Sequence, residues 1–352
     1  MMCLEGKFFN LRYCFVWLSA VCAFSCAKEA GDNTDVVSAD VTLRVEVKAL
    51  AGDDPGFENS AGMVRVFAFN SDGGLDSQMK FTSSGFTNTM KLRLGEKVFC
   101  AVANEPEYAS LMMDDVASIN ELSELYWTEL PDFEDTESVM PFTVVKEQTV
   151  TGASVVDLEL VRAVGKVEMR VYKAPEVILP VYMDMVQVVR TPNKSRMMEG
   201  DPLDPAAEEV LLVDLPPQTW DRGIEIGSEN YTSGHVQMTP KYMFEYIAGQ
   251  GDEARAAATA LKIVLRIGDA DAVSYEVPVV SAFDGDGSAI YCILRNKRAE
   301  MDIRVADNGK LKVTYTALSW EEGGQYDKNM GEDDSNISIE EWIDAVPYDH
   351  EI

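Results

Sequence analysis

The sequence predicts an all-β protein with a β-sandwich in each half, on three observations. Short runs of alternating apolar and polar residues recur along the 352-residue chain. Clusters of Gly, Asp, Asn and Pro separate those runs, and helical periodicity is confined to brief stretches. Two domains of ordinary size suit the length better than one, and a hydrophobic content of 46% is enough for true cores.

The chain opens with a processing segment. Lys7 and Arg12 form a basic start, and residues 13–25 are apolar but too short to span a bilayer. Residues 1–25 therefore read as a secretory signal. The run closes on Ala23, Phe24, Ser25 and Cys26. A small residue directly before a cysteine at this place resembles a bacterial lipobox, with Ala23 standing where Leu is usual. Acylation of Cys26 is the expectation, and ordinary signal cleavage is its alternative. Cys22 competes, but Val21 before it is bulkier. Residues 26–39 are small and polar, a tether. With Cys3, Cys14 and Cys22 lost alongside the signal, only Cys100 and Cys292 remain, each inside an apolar run. Export permits a disulfide, but two buried thiols in different domains are expected.

Elements follow in order from residue 40. Val41, Leu43, Val45 and Val47 alternate with Thr42, Arg44, Glu46 and Lys48, a half-buried strand. Residues 51–61 (AGDDPGFENSA) read as a loop. A strand over 63–70 runs into the turn Ser71, Asp72, Gly73, Gly74, and 90–94 alternates again. Residues 97–104 (KVFCAVAN) are apolar enough for a central strand. Ser118 and Glu121 form a capping box for the single helix of this half. Strands over 155–160 and 163–171 bracket a boundary near 161–165, giving domains at 40–162 and 163–320. In the second half, strands are expected over 181–189, 242–248, 260–267, 274–280, 289–294, 300–305 and 311–318. Residues 253–258 have helical propensity but are too few to stand alone as a helix.

The tail, 321–352, changes character, with eleven acids against one Lys. Ile339, Trp342, Ile343 and Val346 follow helical spacing behind Ser338, and Pro347 ends the run. A short amphipathic helix is one reading; an apolar peptide that docks on another surface is the other.

The composition excludes several classes. Thirty basic residues against sixty acids, a formal charge of −30, leave too few cations to neutralise a nucleic acid backbone. Two histidines, His235 and His350, supply no base for a Ser/His/Asp or Cys/His set. Adjacent acids such as Asp114 with Asp115 carry little information in so acidic a chain, and a two-carboxylate glycosidase is the one enzymatic reading left open. No phosphate-cradling glycine loop is present, so no cofactor is expected. No metal is expected either. Residues 334–341 imitate the second half of an EF-hand loop, but Met330 falls where the first ligand belongs and Ser335 where the turn needs Gly.

Several stretches together resemble the fimbrillin family, the type V major fimbrial subunits of Bacteroides-type bacteria. They are the lipobox-like end at Cys26, residues 98–104 (VFCAVAN) with a short helix after them, and residues 158–171 (LELVRAVGKVEMRV). Residues 242–245 (YMFE), 293–296 (ILRN) and a last core strand ending at Trp320 complete the set. The resemblance spans residues 20–320. It implies two tandem transthyretin-like β-sandwich domains with one or two short helices. It also implies export as an outer-membrane lipoprotein, surface exposure in a fimbria that supports adhesion, and assembly with other pilus subunits by strand exchange. In stalk members a protease cuts after a basic residue, usually Arg, behind the first strand, and a neighbour's C-terminal segment fills the vacated groove. Here the loop has no Arg. Either the cut falls elsewhere, with Lys48 or Arg44 as candidates, or the strand is retained, as would suit an anchor or accessory subunit. Val41, Leu43, Val45 and Val47 would form the exchanged strand, and Ile337, Ile339, Trp342 and Ile343 the donor tail. The alternative is a surface lipoprotein that binds a glycan or another ligand.

Overall fold

A computed structural model of the protein describes residues 37–47, 56–82, 87–130, 139–200, 210–228, 234–319, 338–344 and 346–347. Its first half comprises β1 (Ser38–Val47), a 3-10 turn at Gly56–Asn59, β2 (Met63–Asn70), β3 (Leu75–Thr82), β4 (Thr87–Arg93) and β5 (Gly95–Ala103). Helices α1 (Glu107–Asp114) and α2 (Ile119–Ser123) follow, then β6 (Tyr126–Trp127), β7 (Phe142–Val150) and β8 (Ser154–Arg162).

These strands run in the order β3-β2-β5-β7-β8-β1-β4. Strands β7 and β8 pair in the backbone ladder only at Phe142 with Arg162 and Thr143 with Val161, so the sheet turns a corner there. Beyond those pairs, Lys146 and Gln148 of β7 reach the Asp157 and Val155 carbonyls with their side chains. One side, β3-β2-β5-β7, contributes Val64, Val66, Phe67, Phe99 and Ala101 to an apolar cluster; the other, β8-β1-β4, contributes Val156, Leu158, Val41, Leu43, Met90 and Leu92. Two faces closing on one cluster make a sandwich. The β2–β3 hairpin turns where expected, with Gly73 in the left-handed region at φ 81° and its amide donating to the Asn70 carbonyl at 2.9 Å.

The second half begins with β9 (Gly165–Lys173), β10 (Val181–Val189), β11 (Thr191–Pro192), β12 (Ser195–Arg196), β13 (Leu212–Val213) and β14 (Gln218–Glu225). Next come β15 (Val236–Gln237), β16 (Lys241–Met243), β17 (Tyr246–Gly249), α3 (Gly251–Ala257), β18 (Ala260–Ile267) and β19 (Val273–Pro278). Strands β20 (Val280–Phe283), β21 (Ala289–Ile293), β22 (Lys297–Val305), β23 (Leu311–Ser319), β24 (Ser338–Ile343) and β25 (Val346–Pro347) complete it. Sheets β14-β10-β18-β19-β25 and β15-β9-β22-β23-β24 enclose a second apolar cluster that includes Val167, Met169, Leu261, Ile263, Met301, Val313 and Tyr315. Membership passes from the first cluster to the second between Val164 and Val167, although Met197, Met198, Tyr242 and Phe244 return to the first.

Four expectations need correction. The first half holds two α-helices rather than one: α1 follows Pro106, which offers no side-chain cap, so its start carries no sequence signal. Residues 251–257 do form a helix, α3, seated by the buried Ala254. The single strand expected over 242–248 is broken into β16 and β17, with Phe244 turned into the first cluster. Finally, the tail is not a helix at 338–343: it is strand β24, antiparallel to β23 from Thr316–Ser338 to Leu311–Ile343. The sequence SIEEWI has apolar places at spacings that serve either state. Six backbone pairings with an open sheet edge outweigh a helix too short to hold itself.

Candidate functional site

The site is the track occupied by β1. Alternation places Val41, Leu43 and Val45 inward, where they are buried, while Val47 packs half-buried at the same core. Strand β1 is bonded on both edges: parallel to β8 from Val41–Ser154 to Val47–Leu160, and antiparallel to β4 from Ser38–Arg93 to Arg44–Thr87. The three inward side chains contribute about 5–9 kcal/mol of burial free energy before chain ordering is counted. Taking β1 away would strip the backbone of two strands of partners and open an apolar slot between them. An extended apolar segment fills such a slot without leaving donors and acceptors unpaired.

The chain leaving β1 is anchored on its far side. Glu58, in the 3-10 turn, is fully buried; its Oε1 lies 3.0 Å from Lys166 Nζ and accepts from the Tyr242 hydroxyl at 2.5 Å. Arg162, also fully buried, donates from Nε to the Glu58 carbonyl at 3.0 Å and from Nη2 to Asn59 Oδ1 at 2.6 Å. Buried charges of this kind persist because they are paired and hydrogen-bonded. Asn104 adds a clamp from the left-handed region, φ 58°. Its Oδ1 accepts from Gly62 N at 2.8 Å, and its Nδ2 donates to the Ser60 and Met140 carbonyls at 2.9 and 2.7 Å. Gly165 has no room for a side chain, since a Cβ there would stand 2.7 Å from the Leu294 carbonyl oxygen. Residues 58–62 are thus pinned from both halves of the molecule. Arg162 and Lys166 lie within the stretch 158–171 noted in the sequence; Glu58 and Tyr242 carry no signal that would pair them.

Of the remaining predicted residues, Cys26, Lys48 and Ile337 lie outside the described residues, as does the signal at 1–25. The tether at 26–39 overlaps β1, which begins at Ser38. Arg44 sits within β1 with its exposed guanidinium 4.0 Å from Asp157, and its backbone lies between Thr87 and Asp157. A protease must draw the chain into its own cleft, so Arg44 is shielded while β1 stays in place. Ile339 and Trp342 take register places opposite Tyr315 and Lys312, and Ile343 is buried opposite Leu311. Strand β25 then pairs with β19, so the tail crosses from one sheet of the second sandwich to the other. Strands β1 and β24 lie in different sheets and are not brought together. Cys100 and Cys292 are buried and carry no disulfide.

The same fold occurs in solved fimbrial proteins. A candidate cell adhesion protein from Parabacteroides distasonis matches with a TM-score of 0.58 at 11% identity, over 83% of this chain and 99% of that one. The tip fimbrial protein Mfa3 of Porphyromonas gingivalis, truncated at its C-terminus, matches at 0.56 and 15% identity, over 81% and 100%. A fimbrilin from Porphyromonas gingivalis W83 matches at 0.55 and 13% identity, over 82% and 99%. No protein-family model matches the sequence, and no curated protein matches it. At these identities the likeness establishes an all-β sandwich fold shared with fimbrial subunits.

Proposed function

We propose that the chain is a structural subunit of a bacterial surface pilus, exported as a lipoprotein and assembled by β-strand exchange in support of adhesion. The observation that carries this reading is β1: an N-terminal strand seated inside a sheet, with buried alternate side chains and a pinned segment after it. In this reading residues 1–25 are removed and Cys26 takes an acyl chain that holds the precursor at the outer membrane. Residues 40–162 and 163–320 fold as two β-sandwich domains. A cut near Lys48 releases β1, and the pinned residues 58–62 keep the slot in shape. The tail around Ile337, Ile339, Trp342 and Ile343 leaves its place beside β23 and enters the slot of a neighbouring subunit. A chain that keeps β1 serves instead as an anchor or accessory subunit.

The test is to incubate protein beginning at Ala49, with and without residues 335–352, and to look for ladders on unboiled gels. Ladders from the truncated protein, absent from the intact precursor and lost on tail deletion, are expected. A truncated protein that stays monomeric at high concentration would refute the stalk role. Ladders that survive tail deletion would place the donor elsewhere.

A further inference from the structure

We propose that the side chains of Lys97 and Asn70 become joined by an amide bond, a self-formed cross-link between β5 and β2 with Asp76 as proton carrier. Asn70 and Lys97 are register partners on adjacent antiparallel strands. Lys97 Nζ lies 2.5 Å from Asn70 Oδ1 and 2.7 Å from Asp76 Oδ2. The Lys97 side chain is 1% exposed and that of Asp76 4%, so solvent is kept from both. A lysine amine in contact with both a carboxamide carbonyl and a carboxylate in a dry place supplies the parts that amide exchange requires. Here the sheet itself brings them together, which removes the entropy cost of meeting.

The atoms balance without a co-reactant. A proton passes from the Lys97 ammonium to the Asp76 carboxylate, which turns a buried ion pair into two neutral groups. The freed amine attacks Asn70 Cγ and a C–N bond forms, while protonated Asp76 hydrogen-bonds the carbonyl oxygen as it gains charge. Asp76 then relays a proton from the attacking nitrogen to Asn70 Nδ2. The Cγ–Nδ2 bond breaks, and nitrogen leaves as ammonium, with Asp76 returned to carboxylate. The leaving group has an exit: Asn70 is half-buried, and its Nδ2 points to the Gly74 carbonyl at 3.2 Å, beside the exposed Ser71 and Asp72.

Arg93 opposes the first step. It donates from Nε to Asp76 Oδ1 at 2.5 Å and from its backbone amide to Oδ2 at 2.9 Å. Burial pushes the Asp76 carboxyl up, but the Lys97 ammonium and the Arg93 donors outweigh it, and the carboxyl stands below its ordinary value. Arg93 therefore makes the reaction slow rather than prevents it, since half of its side chain is exposed and water can solvate the guanidinium once the Asp76 carboxylate is neutralised. The inference is independent of the pilus reading, because the three reacting groups lie on β2, β3 and β5 and it needs no release of β1.

Peptide mapping of the protein as isolated decides the matter. A branched peptide joining the segments that carry Asn70 and Lys97, one ammonia lighter than their sum and uncut by trypsin after Lys97, is expected from most molecules. Recovery of only linear peptides with unmodified Asn70 and Lys97 would overturn the proposal, and this measurement needs no variant to fold. In the variants Lys97→Arg and Asp76→Asn only linear peptides are expected. A branched peptide persisting in Asp76→Asn would overturn the proton-carrier role.

Discussion

Leu43→Ala probes how firmly β1 belongs to the first core. Leu43 is fully buried, lies between Asn88 on β4 and Val156 on β8, and belongs to the cluster that includes Met90, Leu92 and Leu158. Removing its three outer carbons forfeits about 2 kcal/mol of transfer free energy. The ladders on both edges hold the backbone in place, so the pocket cannot collapse and a cavity cost adds to this. We expect a total of about 3–4 kcal/mol, inside the range known for Leu→Ala in cores. With a urea dependence of about 2 kcal/mol per M, the unfolding midpoint falls by about 1.5–2 M. Fluorescence of Trp127, buried in the same cluster, reports the transition. Arg44→Ala is the control: its neighbouring side chain is 56% exposed and its partner Asp157 64%, so it should move stability by less than about 0.5 kcal/mol. Equal midpoints for the two variants would refute the view that β1 is a core strand.

Lys166→Met should cost about 3–5 kcal/mol, because it removes one partner of a buried ion pair, and a thermal melt unchanged within error would count against the pinning role. Acidification should destabilise the first half. The carboxyls of Asp76 and Glu105 stand below their ordinary values, against burial that pushes both up, because Lys97 and Arg93 hold the first and Arg65, Lys80 and Ser110 the second. A folded-state value below the unfolded one contributes stability above the unfolded value and loses it as pH falls through the folded one, so melting temperature should drop below about pH 4. Glu105→Gln should flatten that limb, and equal acid slopes in variant and parent would refute it. Burial pushes the Cys100 thiol up to about 12, and Cys292 is also raised, so neither should take iodoacetamide at pH 8 in the native protein while both do in denaturant. Rapid labelling of native Cys100 would contradict this.

What the sequence disclosed follows from how local each signal is. The alternation in β1 and the turn at Ser71 to Gly74 were readable because a strand's facing and a hairpin's chemistry are written within a few residues. Strand β14, QTWDRGIE, was missed because most of it is solvent-facing and its alternation is weak. Strand β3, LDSQMKFT, lies at a sheet edge, and its polar places hide it in the same way. The tail misled because SIEEWI fits two periods, and only the vacant edge of β23 chooses between them. Of the site, the inward face of β1 was legible, but its partners were not, since β8 lies more than a hundred residues away and pairs in parallel. Lys97, Asn70 and Asp76 carry no mark in the sequence at all. Their meeting depends on the register of β2 with β5, which is set by the whole sheet.

Strand β1 also differs from β24 in how it would answer a mechanical pull. A tug on Ser38 along the strand axis loads the bonds to β4 and β8 in shear, so both ladders must yield nearly together before the chain moves. Strand β24 has a ladder on one edge only, at the border of its sheet, and a sideways pull peels it from β23 pair by pair. A pull of that sideways geometry on the tail would free the last strand at a lower force than a pull along its axis would need to free β1. The proposed strand exchange would then need a cut in the chain, because a force that frees the tail leaves β1 in place.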